Sequence, residues 1–67
     1  MKKKKMTYKE YVEAVKQYAI QEMYGGYYEG EVKANIDEAM KDMEYLIYLN
    51  WKEGEDFETA GYCVGMY

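Results

Sequence analysis

The chain contains no histidine, no serine, no arginine and no proline, and its one cysteine is Cys63. Without histidine or serine, neither a Ser–His nor a Cys–His nucleophile pair can form within the chain. The lone cysteine excludes an internal disulfide framework, and the absence of histidine excludes the Cys/His zinc patterns. Carboxylates alone support acid–base catalysis only in a cleft that shifts their pKa values, which a chain of 67 residues rarely forms. We therefore expect no enzymatic activity, no cofactor and no metal site.

Long apolar runs are also missing. No segment approaches the roughly 18 apolar residues that a membrane-spanning helix needs. The opening Met1–Lys5 resembles the charged start of a signal peptide, but no apolar segment follows it. The sequence therefore predicts a cytoplasmic protein without a membrane partner. Residues 1–6 are expected to form a disordered, Lys-rich tail, and residues 7–67 a single small helical domain.

Charge is distributed unevenly along the chain. Five lysines lie within the first nine residues, whereas the remainder holds four lysines and thirteen acidic residues, a balance of −9. An acidic surface favours basic partners and disfavours non-specific binding to nucleic acid. Arginine, the side chain best suited to phosphates and base edges, is absent. Binding of nucleic acid through the lysine tail is therefore the functional hypothesis that ranks last.

The first predicted helix begins at Thr7, whose spacing from Glu10 matches a capping box, and it ends at Gly25. Its apolar residues recur at helical spacing and form one stripe: Tyr8, Tyr11, Val12, Val15, Tyr18, Ala19 and Met23. Ile20 and Tyr24 fall off this stripe, so we expect them to form a small exposed patch.

The second predicted helix runs without interruption over residues 31–52 and stops before Gly54. The connection over 25–30 is short and rich in glycine, which makes the two helices antiparallel neighbours. The predicted fold is therefore all-α: an antiparallel hairpin of helices at about 7–24 and 31–52. A dimer of this hairpin is left open.

The second half of the long helix, from Tyr45 onward, is apolar nearly all round and requires cover. A tail folding back, a second copy or a target protein would each supply it. We expect the tail after Gly54 to form a short turn or an extended segment. In the preferred interpretation it packs back so that Phe57, Val64 and Tyr62 cover the end of the helix.

Tyrosine is the unusual component, because ten residues are tyrosine against one Phe and one Trp. Two helices have too little interior to bury ten phenol groups with satisfied hydroxyls. Tyrosine is favoured at protein-binding surfaces, and here acidic residues flank several of the rings. Solubility alone would also explain the acidic residues. The predicted partner-binding residues are Tyr24, Tyr27, Tyr28, Glu29, Glu31, Glu38, Asp42, Tyr45 and Tyr48.

In size, acidity, tyrosine content and a Lys-rich, Arg-free composition, the chain resembles the small acidic proteins that phages and mobile elements use against bacterial defence, including anti-CRISPR proteins. The resemblance lies in overall character and implies an inhibitor of a larger basic protein, such as a host nuclease. It implies that Glu29, Glu31, Glu38, Asp42 and the neighbouring tyrosines occupy a nucleic-acid channel or prevent a conformational change. The alternative hypothesis is a self-associating structural module without an inhibitory role.

Overall fold

A computed structural model describes residues 6–67 and contains four α-helices and one π-helical segment. In chain order the elements are α1 (Tyr8–Tyr18), the π segment (Ala19–Met23), α2 (Gly30–Asp42), α3 (Glu44–Lys52) and α4 (Phe57–Gly65). No strand occurs in the part of the chain that the structure describes. The all-α prediction is confirmed, but the hairpin of two long helices is replaced by four shorter helices.

Helix α1 begins as its sequence predicts. The Glu10 amide donates to Thr7 Oγ1 at 3.1 Å, and the Thr7 amide donates to Glu10 Oε1 at 3.0 Å. Each bond satisfies a backbone donor near the start of the helix, where no intrahelical partner exists. Met6, predicted to belong to the tail, packs against the core and accepts a hydrogen bond from Trp51 Nε1 at 2.9 Å. The remaining five tail residues lie outside the described range.

The end of the first helical stretch differs from the prediction, because its last turn is a π-helix. A π-helical turn holds an extra residue and rotates the following side chains relative to an α-helix. Ile20, expected on the surface, is only 4% exposed. Tyr24, expected beside it, is partly buried, and its hydroxyl donates to the Gly65 carbonyl at 3.3 Å. The predicted exposed patch was therefore wrong, since helix α4 covers this side.

The prediction of one uninterrupted helix over residues 31–52 was also wrong. Met43 leaves the helical conformation, with φ −100° and ψ 16°, and separates α2 from α3. Neither glycine nor proline marks this position, and its neighbours favour a helix. Helices α2 and α3 each contact α4, so tertiary packing outweighs local propensity at the break.

Helix α4 is the element that contacts all the others, and its most extensive contact is with α1. The prediction of a turn or an extended tail was wrong, because this segment forms a helix although its two glycines lower helix propensity. Ala60, Gly61 and Val64 are buried on its inner side. Of the three residues expected to cover the long helix, Val64 is buried and Phe57 is partly buried, whereas Tyr62 is 52% exposed.

Glycine permits the close approach of α4 to the first helical stretch. A Cβ added to Gly61 would lie 2.9 Å from the Tyr18 Cβ, and one added to Gly65 would lie 2.8 Å from the Met23 Cβ. Both distances are shorter than carbon atoms tolerate without movement. Each α-helix and the π segment contributes to one core, formed by Tyr11, Val15, Ala19, Ile20, Ile36, Ala39, Ile47, Ala60 and Val64. Within residues 6–67, no helix has the length and apolar character required to cross a bilayer.

Candidate protein-binding surface

An open groove lies on the surface where α1 meets the junction of α2 and α3. It consists of two adjoining depressions of about 290 Å³ and about 360 Å³, both of which involve Tyr8 and Glu44. We call it the aromatic groove. The smaller depression is lined by Tyr8, Val12, Met40, Lys41, Glu44 and Ile47. The larger one is lined by Tyr8, Glu44, Tyr45 and Tyr48.

Contacts between aromatic rings fix two walls of the groove. The Tyr8 ring centroid lies 5.7 Å from that of Tyr48, with an interplanar angle of 76°, and 5.3 Å from that of Trp51. Such pairs contribute about 0.5–1.5 kcal/mol each beyond the area that they bury. The hydrogen bond from Trp51 Nε1 to Met6 holds the third ring of the cluster in place. The groove therefore presents preorganised rings, which lowers the entropy cost of binding.

Tyr45 is the most exposed aromatic residue of the groove. Its side chain is 72% exposed, and the neighbouring Leu46 is 41% exposed. A large apolar ring in this position keeps much of its surface in water, although the core lies close by. Burying such a ring in a complex would contribute about 1.5–3 kcal/mol.

Glu44 contributes a carboxylate to both depressions of the groove, and Lys41 lines the smaller one. The pKa of the Tyr8 phenol is raised by burial first, and then by the nearby carboxylate of Glu44 and by Tyr48. Among the described residues that line the larger depression, Glu44 is the one acidic side chain. Lys52 Nζ lies 5.8 Å from the Tyr48 ring centroid.

The acidic residues predicted for binding lie largely on one helix. Glu31, Glu38 and Asp42 are exposed and are spaced by seven and four residues on α2, which places them on one face. We call these three residues the acidic stripe. Asp42 accepts a hydrogen bond from the Tyr67 hydroxyl, and that bond is the main cause of the raised pKa of Tyr67. The stripe therefore lies on α2 apart from the residues that line the groove.

Tyr28 was predicted to bind a partner, but its phenol group is engaged within the fold. Its hydroxyl donates to Asp37, and Lys16 Nζ and Lys33 Nζ lie 4.8 Å and 5.5 Å from its ring centroid. The pKa of Asp37 is lowered by this hydrogen bond and by that from Lys33. Tyr28 therefore joins the connection to α1 and α2.

The remaining predicted residues lie outside the groove. Tyr24 is tied to the carbonyl of Gly65, as described above. Tyr27 is 55% exposed, and Glu29 is exposed just before α2 begins. Neither lines the groove, so their part in binding stays a prediction. Of the predicted tyrosines, the structure brings together Tyr45 and Tyr48.

The predicted binding residues do not include Tyr8 and Glu44, which line both depressions, or Trp51, whose ring contacts Tyr8. Tyr8 had been assigned to the contact between helices, and it is indeed partly buried. The spacing Glu44, Tyr48, Lys52 contains a usable signal, because residues four apart share one face of a helix. Trp51 follows Tyr48 by three residues, which also brings their rings together.

Neither a metal centre nor a relative explains this surface. No group of three or more potential metal ligands is arranged to hold an ion within residues 6–67. Comparisons with protein-family models, curated proteins and solved structures find no match for this chain. Function must therefore be inferred from the geometry of the surface.

Proposed function

We propose that the protein is a non-enzymatic inhibitor or modulator of a larger basic protein that handles nucleic acid, such as a bacterial defence nuclease. It acts by binding through the aromatic groove and the acidic stripe. The observation that carries the proposal is the position of Tyr45, a 72% exposed ring beside the fixed rings of Tyr8 and Tyr48. Tyrosine is among the side chains that contribute most binding energy in many protein interfaces.

The charge distribution supports a basic partner. Both ion pairs among the described residues use Asp37, so the acidic stripe faces solvent without a lysine within 4.0 Å. Along the axis of α2, Glu38 and Asp42 are about 6 Å apart and Glu31 and Glu38 about 10 Å. Such a row of carboxylates can occupy a groove that is built to neutralise phosphates.

The proposal is tested by capturing partners on the tagged full-length chain at low and at high salt. We expect a basic, nucleic-acid-binding protein that is lost at high salt, because screening weakens contacts between exposed charges. We also expect the chain to compete with nucleic acid for this protein. If the chain retains no basic protein, or if nucleic acid does not compete, the proposal is wrong.

Two triple variants separate the acidic stripe from net charge. The stripe variant carries Glu31→Gln, Glu38→Gln and Asp42→Asn. The control variant carries Glu53→Gln, Glu55→Gln and Glu58→Gln, which removes the same charge from exposed positions elsewhere. We expect the stripe variant to lose binding and the control to keep it. Equal losses would show that net charge alone attracts the partner.

A pair of tyrosine variants tests the groove in the same assay. Tyr45→Ala removes a ring from the groove, whereas Tyr27→Ala removes an exposed ring that does not line it. A residue at the centre of an interface contributes about 1–2 kcal/mol or more, so we expect affinity to fall about tenfold or more for Tyr45→Ala. A similar effect of the two substitutions would contradict binding through the groove.

Self-association is a second candidate, favoured by the adjacent exposed side chains of Tyr45 and Leu46. A chain this short gains stability from burying such residues in a dimer. Light scattering at micromolar concentration separates the candidates. A stable dimer that Tyr45→Ala dissociates supports self-association, and a monomer contradicts it.

A further inference from the structure

The larger depression of the aromatic groove has an unusual set of walls. Three phenol rings and one carboxylate line it: those of Tyr8, Tyr45 and Tyr48, and that of Glu44. No lysine lines this depression among the described residues, whereas Lys41 lines the smaller one beside it. The faces of aromatic rings attract cations through their quadrupole, and Glu44 adds a full negative charge.

The same fold already binds lysine with this combination of groups. Around Tyr28, two lysine ammonium groups lie 4.8 Å and 5.5 Å from the ring centroid. Both also lie within 4.0 Å of the Asp37 carboxylate, which accepts a hydrogen bond from the Tyr28 hydroxyl. One phenol and one carboxylate therefore hold two lysines at the surface of the fold, where the Lys33 side chain is 55% exposed. The larger depression offers three phenols and one carboxylate with no lysine among its walls.

We propose that this depression is a subsite for one cationic side chain, lysine or arginine, presented by the basic partner. We call it the cation subsite. The proposal rests on the proposed function and states which chemical group of the partner the groove recognises. Its volume of about 360 Å³ is within the lower range of small-ligand sites, which leaves room for a side chain and its ammonium or guanidinium group.

Lys52 modulates the cation subsite. Its ammonium group lies 5.8 Å from the ring centroid of Tyr48, one of the three rings that line the depression. A second cation entering beside it meets repulsion between like charges. Removing the Lys52 charge therefore strengthens binding of a cation, whereas removing the Glu44 charge weakens it. These opposite effects on cation affinity distinguish a cation subsite from an apolar one, at which neither charge would matter.

The test is a titration of the full-length chain, followed by nuclear magnetic resonance of the tyrosine rings. The probes are the amides of N-acetyl-lysine and N-acetyl-arginine, with the amide of N-acetyl-norleucine as an uncharged control of similar shape. We expect saturable shifts at Tyr8, Tyr45 and Tyr48 with the two cations and not with norleucine. Equal shifts with norleucine would overturn the proposal, because they would show apolar binding only.

Single substitutions at exposed positions test the charges. We expect Glu44→Gln to weaken binding of the lysine probe about twofold to fivefold and Lys52→Gln to strengthen it by a similar factor. The matched control, Glu53→Gln, removes an equal charge outside the depression and should leave the affinity unchanged. Equal effects of the Glu44 and Glu53 substitutions would overturn the subsite.

Spectra of the chain recorded at increasing protein concentration, without a probe, test whether a second copy of the chain occupies the depression. Shifts of the groove tyrosines that grow with protein concentration would show that a second copy fills the depression, which also overturns the proposal. The probe experiment needs no partner, so it is separate from the test of function. Saturable cation binding without any basic partner leaves the subsite standing while the proposed function fails. If a basic partner binds and its affinity is unchanged by Glu44→Gln, the proposed function stands and the cation subsite fails.

Discussion

Gly61 of α4 lies close to Tyr18 at the end of α1, and Gly61→Ala tests this contact. A Cβ at residue 61 would lie 2.7 Å from Tyr18 Cδ1 and 2.9 Å from Tyr18 Cβ. Because the second atom is attached directly to the backbone, rotation of the tyrosine side chain does not relieve the overlap. The Tyr18 ring is further confined by Phe57, at a centroid distance of 6.2 Å.

Two effects of this substitution oppose each other. Replacing glycine by alanine within a helix stabilises it by about 1 kcal/mol. Overpacking costs about 1–3 kcal/mol, and the contact with a Cβ places this case in the upper part of that range. We therefore expect a net loss of about 1–2 kcal/mol in the free energy of unfolding. For a domain of this size, that loss lowers the melting temperature by roughly 5–15 °C.

Circular dichroism during urea and thermal unfolding measures the effect. Thr59→Ala is the matched control, because Thr59 is exposed on the same helix and alanine also raises its helix propensity. We expect the control to be slightly more stable than the original chain. If Gly61→Ala were also stabilised, by about the propensity gain, then α4 would not pack closely against Tyr18 and the fold described here would be wrong.

Three further substitutions test individual interactions. Thr7→Ala removes the capping box with Glu10, and urea unfolding should show a loss of about 1 kcal/mol; no loss would contradict the cap. Asp37 has a lowered pKa in the fold, so its stabilisation is present above the ordinary value of 3.8 and lost as pH falls below it. Asp37→Asn should therefore flatten the dependence of unfolding free energy on pH in that acid range, and an unchanged slope would contradict the pairing. The pKa of Tyr11 is raised, mainly through burial, so stability falls as pH rises above the ordinary tyrosine value of 10.0. Tyr11→Phe should reduce this alkaline loss of stability and should cost about 1 kcal/mol at neutral pH, because the hydrogen bond to the Asp56 carbonyl is removed. An undiminished alkaline loss in the variant would contradict the assignment to Tyr11.

Local signals predicted the first helix well. The capping box at Thr7 and the glycines at the end of the stretch act through the backbone nearby, and the structure confirms both. The stripe of apolar residues correctly placed Tyr11 and Val15 in the core. These features need no knowledge of the rest of the chain, which is why periodicity and capping predict them.

Tertiary packing decided the features that the sequence did not predict. Helix α4 contains Gly61 and Gly65, which lower helix propensity but allow close contact with neighbouring elements. The break at Met43 likewise has no local signal. Once α4 is in place it covers Ile20, which local periodicity assigned to solvent. Such effects depend on contacts between distant parts of the chain.

The candidate binding surface was predictable only in part. Excess tyrosine over available interior indicated exposed rings, and Tyr45 and Tyr48 lie in the groove. Tyr28 does not line the groove, and its hydrogen bond to Asp37 and its two lysine contacts form only in the folded chain, so its part in binding stays a prediction. Tyr8 was missed because a residue on an apolar stripe can both contact another helix and line a groove.

The central claim is that one folded copy of the chain leaves the groove rings open to another molecule. Covalent labelling of tyrosine rings, read residue by residue by mass spectrometry in dilute solution, tests it most directly. Tyr45 is 72% exposed and Tyr11 is 3% exposed, so we expect rapid labelling of Tyr45 and strong protection of Tyr11. Protection of Tyr45 equal to that of Tyr11 in a monomer would contradict the claim.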